Sequence, residues 1–543
     1  MFQNSRVWVL VILVVMGAAT LRLYQLDDRG IVNWDEAFYI DSAKMGRNLV
    51  LNLPFLFELY EQDRLTKSEI KGTVKGSMIG NPKPTYLAIC TAFALGTGEV
   101  EDYTLFLLSA LAGIAAVLMV FLYTSHLEQS WPAGVIAAVI LSVSGMGIMY
   151  SRSAMAEAVP ALLYLVACFV YLRARESGSS VAFGATGIIL GFFFTSNYRW
   201  IFLVGLFVIF EVIELVRAGK GWKKQRKSLS YLLLGIVTIP LIFEASYWGV
   251  SLITPEVFPS YFQDLFGRYY SIFVEREDAL NIFPHTMFVR SLLLTEGPMV
   301  LSLALFGVIL SVVKYSPGRL LPCLTVLVPL CAFSLKTRGD RLVAISIICP
   351  FLAILASIGL CWISDQIRKK RTRHLVQGLV VFLILGFGLN SAVKILQIRS
   401  GYREAIEWVI ERQGKTHFST AAMISQFYTD GEALPIPSTE RELERLFAAG
   451  YRYFLVDWRR DRPEFYSELG KRIVETSSPV AVFPNPIAQF SPYVIDEFHY
   501  RHDDPAYIRR IMRDPNNSII RIYDVGTYIQ KLGAGQSVDS KQS

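Results

Sequence analysis

Apolar runs of roughly 16 to 22 residues recur from residue 7 to residue 393, each long enough to cross the hydrocarbon core of a bilayer as a helix. In hydrocarbon every backbone amide must find its partner within its own segment. A chain built from such runs therefore folds as a helical bundle. The composition agrees. Of the 543 residues, 53% are hydrophobic and 18% charged, where an ordinary soluble domain carries about 25% charge, and the mean hydropathy is +0.39. The net charge of +7 calls for no nucleic acid. Basic residues cluster in short loops between apolar runs, as the positive-inside rule requires.

About eleven runs read as spans: 7–23, 103–123, 131–149, 158–172, 181–196, 200–216, 229–250, 298–313, 320–335, 342–364 and 375–393. The first resembles a signal peptide with a small-residue end, Gly17-Ala18-Ala19-Thr20, but further spans follow, so it reads as an uncleaved anchor. A shorter stretch, 85–95, lies between two prolines, Pro82 and Pro84, and Gly96-Thr97-Gly98. If it does not cross, the most basic loops, "RAGKGWKKQRKS" and "DQIRKKRTRH", share the cytoplasmic side. It is therefore read as an interfacial helix on the outer leaflet. The N-terminus is then cytoplasmic, and a bacterial inner or plasma membrane is the expected location. Outside lie a first loop, 24–102, a second, 251–297, and the chain beyond 394. Residues 1–394 form the membrane domain. Six cysteines (Cys90, Cys168, Cys323, Cys331, Cys349, Cys361) lie in or beside apolar runs without CxxC spacing and read as small hydrophobes.

Past residue 394 the composition changes. "GYREAIEWVIERQG" reads as an amphipathic helix, "STERELERLFAAG" as a helix with a serine cap and a terminal glycine, and "YRYFLVDW" and "PVAVF" as strands. Residues 395–530 form a small soluble α/β domain, and 531–543 read as a disordered tail.

Charges at the outer ends of spans carry the functional signal, because topology gives cations no reason to be there. Lys83 in "NPKPTY", Arg152 in "SRSAMAE", Arg199 in "TSNYRW", and Lys336, Arg338 and Arg341 in "KTRGDR" all lie near that plane. Any one of them alone is explained by snorkelling to headgroups. As a set drawn from several helices they suit a lipid phosphate. On the same side lie Asp35, Glu36 and Glu157. Asp35 suits an N-cap by type, and Glu157 suits a helix start. The aromatic bracket Trp34, Phe38 and Tyr39 around two adjacent acids exceeds what a cap needs. Glu244 reads as a structural or water-facing carboxylate.

These motifs resemble the GT-C superfamily of membrane glycosyltransferases, and within it the protein O-mannosyltransferase and lipid A aminoarabinose transferase group. "WDEAFY" resembles the Asp-Glu motif of the first outer loop, "PKPTY" the K/H-P-P-L-Y element, "SRSAMAE" the R-x-x-x-x-D/E element, and "KTRGDRLVAISIICP" the late K-x-x-R-Y-x-x-P element. Thr85 replaces the second proline, Glu157 stands where Asp is commoner, Tyr198-Arg199 replaces a lysine, and Asp340-Arg341 the late tyrosine. The resemblance implies a GT-C fold and transfer of a sugar from a polyprenyl-phosphate carrier to an acceptor protein, lipid or glycan on the outer face. Asp35 would take the acceptor's proton, with Glu36 orienting it. Lys83, Arg152, Arg199, Lys336, Arg338 and Arg341 would hold the phosphate and offset its growing charge. Trp34, Tyr39 and Glu157 would line the sugar or acceptor pocket. One carboxylate and one departing phosphate imply inversion.

Two other readings compete. A flippase for lipid-linked sugars also needs outer cations beside a greasy groove, but no pair of broken helices in matching halves is evident. A ligase or polymerase using a diphosphate carrier would lack the early Asp-Glu motif. The acids show no D-x-D spacing, so no essential metal is expected. Asp496, Glu497, His499, His502, Asp503 and Asp504 read as a solvated strip.

Overall fold

A computed structural model describes residues 5–62, 83–217, 221–253, 260–273, 282–314, 316–336, 342–457, 467–486 and 519–533. The chain divides into two compact units, Met1–Leu26 with Ser42–Ile395, and Asp27–Asp41 with Leu396–Ser543.

The helices of the first part of the chain are α1 (Ser5–Leu23), α2 (Trp34–Glu61), α3 (Pro84–Thr97), α4 (Tyr103–Leu127), α5 (Trp131–Ser142), α6 (Gly145–Ser151), α7 (Ala158–Ser177) and α8 (Ser180–Ser196). There follow α9 (Ile201–Arg217), α10 (Trp222–Ile253), α11 (Tyr261–Phe273), α12 (Ile282–Thr295), α13 (Pro298–Val313), α14 (Pro317–Lys336), α15 (Cys349–Asp365) and α16 (Lys370–Leu396). Among the described residues six helices are long and apolar enough to cross a bilayer, or seven if the bent pair α5–α6 is one span. The protein is a multi-pass membrane protein. Each of the eleven predicted runs falls on helix, but several are short. α3, at 14 residues, is about 21 Å long and falls short of the ~30 Å hydrocarbon core.

Glycine lets the helices close on one another. A Cβ on Gly187 of α8 would lie 2.2 Å from the Leu232 carbonyl of α10, and one on Gly307 of α13 would lie 2.1 Å from the Leu355 carbonyl of α15. With no hydrophobic drive between helices in lipid, such backbone approach supplies the packing.

One expectation of the membrane part needs correction. The run 131–149 is two helices, bent by 63°. Ser144 starts the second by accepting from the Gly147 amide at 3.0 Å, a break that hydropathy cannot register in a stretch apolar on both sides. The loop 24–102 holds the 28 residues of α2 as well as α3. The loop 251–297 holds α11 and α12.

The second unit has a four-stranded sheet of β1 (Phe418–Ser419), β2 (Tyr453–Asp457), β3 (Ala481–Pro484) and β4 (Ile519–Asp524) in the order β1-β2-β4-β3. β1 and β2 are parallel, and β4 is antiparallel to both of its neighbours. Around it lie α17 (Tyr402–Gln413), α18 (Ala422–Tyr428), α19 (Glu440–Ala448), α20 (Glu468–Thr476) and α21 (Val525–Gly533). Phe418, Leu443, Phe454, Val456, Leu469 and Ile473 fill its core. The cap of α19 is Thr439, which accepts from the Glu442 amide, not the serine before it. α21 runs to Gly533, three residues into the stretch read as tail.

Hydrogen bonds hold the segment Asp27–Asp41 in this unit. The Arg29 carbonyl accepts from the Ser400 amide at 2.7 Å. The Ile31 amide reaches the Tyr428 hydroxyl at 3.4 Å. Gly30 has φ +64°, and a Cβ there would meet Ser400 Cβ at 3.1 Å, so the turn is built for glycine.

Candidate active site

In the second unit the Asp-Glu motif opens α2. Asn33, not Asp35, caps that helix: its side chain accepts from the Asp35 amide at 3.1 Å and its carbonyl from the Ala37 amide at 3.3 Å. Asp35 and Glu36 both lie in the first turn, where negative charge suits the helix dipole. Their environments differ sharply. Glu36 is 1% exposed. Its Oε1 accepts from Arg29 Nη2 at 2.7 Å, and its Oε2 accepts from the amides of Val32 and Asn33 at 2.8 and 3.1 Å. Arg29 is itself buried. Glu36 thus closes the loop 29–36 upon itself. Asp35, beside it, is half-buried. Trp34 and Phe38 are exposed, and Tyr39 is buried with its ring edge-on to Phe38 at 5.5 Å.

In the first unit two motif segments meet on a third, the loop 152–157. Arg152 follows α6, is 2% exposed, and donates from Nη1 to the carbonyls of Arg22 and Tyr24 at 3.0 and 2.8 Å. The Ala154 carbonyl accepts from the hydroxyl of Tyr86, in "PKPTY", at 3.1 Å. The Ala156 carbonyl accepts from Nδ2 of Asn197, in "TSNYRW", at 2.9 Å. The latter two motifs also bond directly: Thr85 and Thr195 hydroxyls lie 2.6 Å apart. Thr195 donates to the Gly191 carbonyl at 2.8 Å, so Thr85 is the donor of the pair. Thr85, standing where the motif it resembles has proline, thus supplies a bond that proline could not.

Lys83 is buried at the start of α3. Arg199 is half-buried in a 3₁₀ turn, Tyr198–Trp200, whose Arg199 amide donates to Asn197 Oδ1 at 3.4 Å. Glu157 is 1% exposed. Its backbone stands at the cap position of α7, but its side chain makes no cap bond; the residue lines a small cavity. Glu244 accepts from the Phe262 amide at 3.1 Å and so ties α10 to the first turn of α11. Arg338, Arg341, the side chain of Lys336 and the strip 495–505 lie outside the described residues. Among the described residues no group of three or more His, Cys, Asp or Glu is placed to hold a metal ion.

Sequence reasoning named the cations and acids but not the residues that hold them. Arg22, Arg29, Tyr86 and Asn197 were missed. Arg22, inside an apolar run, and Asn197, ending one, were the available signals, since a polar group at membrane depth must have a partner.

The comparisons extend this geometry. Residues 82–248, under a third of the chain, match the family model described as dolichyl-phosphate-mannose-protein mannosyltransferase. The match contains "PKPTY", "SRSAMAE" and "TSNYRW". The crystal structure of ArnT from Cupriavidus metallidurans bound to undecaprenyl phosphate has a TM-score of 0.59 at 14% identity, covering 87% of this chain and 96% of that one. The archaeal oligosaccharyltransferase AglB from Archaeoglobus fulgidus, in complex with an inhibitory peptide and a dolichol-phosphate, has a TM-score of 0.57 at 12% identity, covering 87% and 73%. No curated protein matches the chain. The likeness to GT-C membrane proteins read from the motifs is therefore one of fold.

Proposed function

We propose, from a GT-C fold bearing the motifs above, that this chain is a membrane glycosyltransferase moving a sugar from a polyprenyl-phosphate carrier to an acceptor on the extracytoplasmic face. The observation that carries the reading is the Thr85–Thr195 hydrogen bond. It ties together the segments bearing Lys83 and Arg199, two cations separated widely in sequence. Lys83 and Arg199, with Lys336, Arg338 and Arg341 expected beside them, hold the donor phosphate. As the glycosidic bond breaks, charge grows on that phosphate and the cations offset it. Asp35 accepts the proton of the attacking acceptor hydroxyl, and the sugar inverts at its anomeric carbon. Glu36 does not share in the chemistry: it fixes the turn from which Asp35 projects. Trp34 and Tyr39 line the sugar or acceptor pocket. The relatives' printed ligands, undecaprenyl phosphate and dolichol-phosphate, support a carrier of this class.

The test is reconstitution of the full chain with polyprenyl-phosphate-linked sugars, following release of bare polyprenyl phosphate. Arg199→Gln and Lys83→Gln should each lower the rate at saturating donor as well as the affinity, because the interaction strengthens in the transition state. Movement of intact lipid-linked sugar across vesicles without cleavage would favour the flippase instead. Both variants at the parent rate and affinity would remove the phosphate site.

A further inference from the structure

Arg22 is 1% exposed inside the membrane unit. Its Nη1 donates to the carbonyls of Ala18 and Ser142 at 3.2 and 3.1 Å, and its Nη2 to the Leu141 carbonyl at 3.2 Å. Leu141 and Ser142 end α5 at the bend, where the Leu141 carbonyl also accepts from the Ser144 amide at 3.3 Å, so the guanidinium adds a charged cap to the last carbonyls of the broken helix. Its third nitrogen, Nε, is buried and bonds to no described protein atom. Arg22 borders a cavity of about 40 Å³, whose other polar residues are Tyr150, Ser151, Glu157, Ser346 and Cys349. That volume holds about three waters. The notch at Gly113 keeps the space open: a Cβ there would lie 2.9 Å from Arg22 Nε and 2.5 Å from Ser151 Cβ.

A buried cation with an unused donor and a buried carboxylate, on the otherwise largely apolar walls of one small cavity, form a water site. An apolar cavity stays dry, but here water meets both a donor and an acceptor. The same arginine stands near both ends of the loop 152–157. At the start, Arg152 donates to the Arg22 carbonyl at 3.0 Å. At the finish, Glu157 borders the cavity that Arg22 borders.

We propose that resident waters bridge Arg22 Nε to the Glu157 carboxylate, and that Arg22 is thereby a positioning residue for the loop 152–157. Only the consequence for donor lipid rests on the glycosyltransferase reading.

Radiolytic footprinting of the full-length protein in nanodiscs tests the water, because hydroxyl radicals formed from bound water oxidise the side chains beside it. Met146 and Met149 lie on the same short helix at 0% and 1% exposure, but only Met146 lines the cavity. Met146 should oxidise about tenfold faster, and Gly113→Ala should bring it to the Met149 rate by filling the notch. Equal rates in the parent protein would overturn the water site without any variant having to fold. Amide exchange across 153–157 then tests positioning. Arg22→Met should raise it about tenfold to a hundredfold, the scale of a lost charge-assisted bond, with Arg22→Lys recovering part. Unchanged exchange in Arg22→Met would overturn the positioning role. Affinity for undecaprenyl phosphate should weaken in parallel with exchange. Absence of lipid binding by the parent protein would count against the proposed function and leave both other readouts standing.

Discussion

The adjacent carboxylates at the start of α2 give the sharpest contrast. Glu36→Gln keeps the shape but removes the charge opposite Arg29 Nη2 at 2.7 Å, with both residues buried. Breaking one member of a buried pair costs about 3–5 kcal/mol, because it strands the other charge. The glutamine oxygen can still accept from Val32 or Asn33, but its amide then turns a donor toward Arg29. At about 1.4 kcal/mol per decade, local opening of the loop 29–36 should rise by roughly two to three orders of magnitude. Hydrogen exchange of the Val32 and Asn33 amides, which donate to Glu36 at 2.8 and 3.1 Å, reads that opening directly and needs no substrate. Asp35→Asn should leave those amides protected while lowering turnover by about two to four orders of magnitude. If Glu36→Gln exchanges like the parent, the closed-loop account is wrong. If Asp35→Asn turns over at the parent rate, its role as base is lost.

Other outcomes follow from single observations. His417 is buried, and desolvation lowers its pKa from 6.5 to about 4. A depressed histidine stabilises the fold fully above pH 6.5, and the contribution drains away as pH falls toward 4, about 3 kcal/mol in all. Melting of the second unit should therefore steepen with acidification over that window in the parent and lose that slope in His417→Phe. Gly307→Val should lower the melting temperature of the membrane unit, since its Cβ would lie 2.1 Å from a carbonyl and overpacking costs about 1–3 kcal/mol or more. Gly386→Ala, with nothing within 4 Å, should melt like the parent. Thr85→Val and Thr195→Val should weaken undecaprenyl phosphate binding non-additively, since either one breaks the same bond; additive losses would argue that the hydroxyls act separately.

The helical bundle was legible because hydrocarbon leaves the backbone few options and apolar run length reports them. The bend between α5 and α6 was not, because its cause is a serine hydroxyl and a distant arginine within an unbroken apolar stretch. In the second unit, "YRYFLVDW" and "PVAVF" announced their strands by β-branched and aromatic content. The two-residue β1 is too short to show a period, and it exists through pairing with β2. The membership of Asp27–Asp41 in the α/β unit was equally hidden: it rests on contacts to Ser400 and Tyr428, some four hundred residues along the chain.

The site was legible in its residue types and not in their directions. Arg152 and Arg199 looked equivalent, each a cation at the outer end of a span. The structure separates them. Arg152 is buried with Nη1 on two main-chain carbonyls, whereas Arg199 is half-buried in a turn anchored by Asn197. At a loop held away from water, unpartnered carbonyls compete for a guanidinium as effectively as a phosphate does. The two should therefore fail differently. Arg152→Lys keeps the charge, but its shorter side chain stops short of the place of Nη1, which serves both carbonyls, so it should lose one carbonyl bond, about 2 kcal/mol, and lower the melting temperature. The molecules that remain folded should bind undecaprenyl phosphate like the parent. Arg199→Lys should melt like the parent and bind the lipid more weakly. Thermal unfolding and lipid titration on the same two preparations decide it. An Arg152→Lys protein of parent stability and reduced lipid affinity would place Arg152 back among the phosphate ligands.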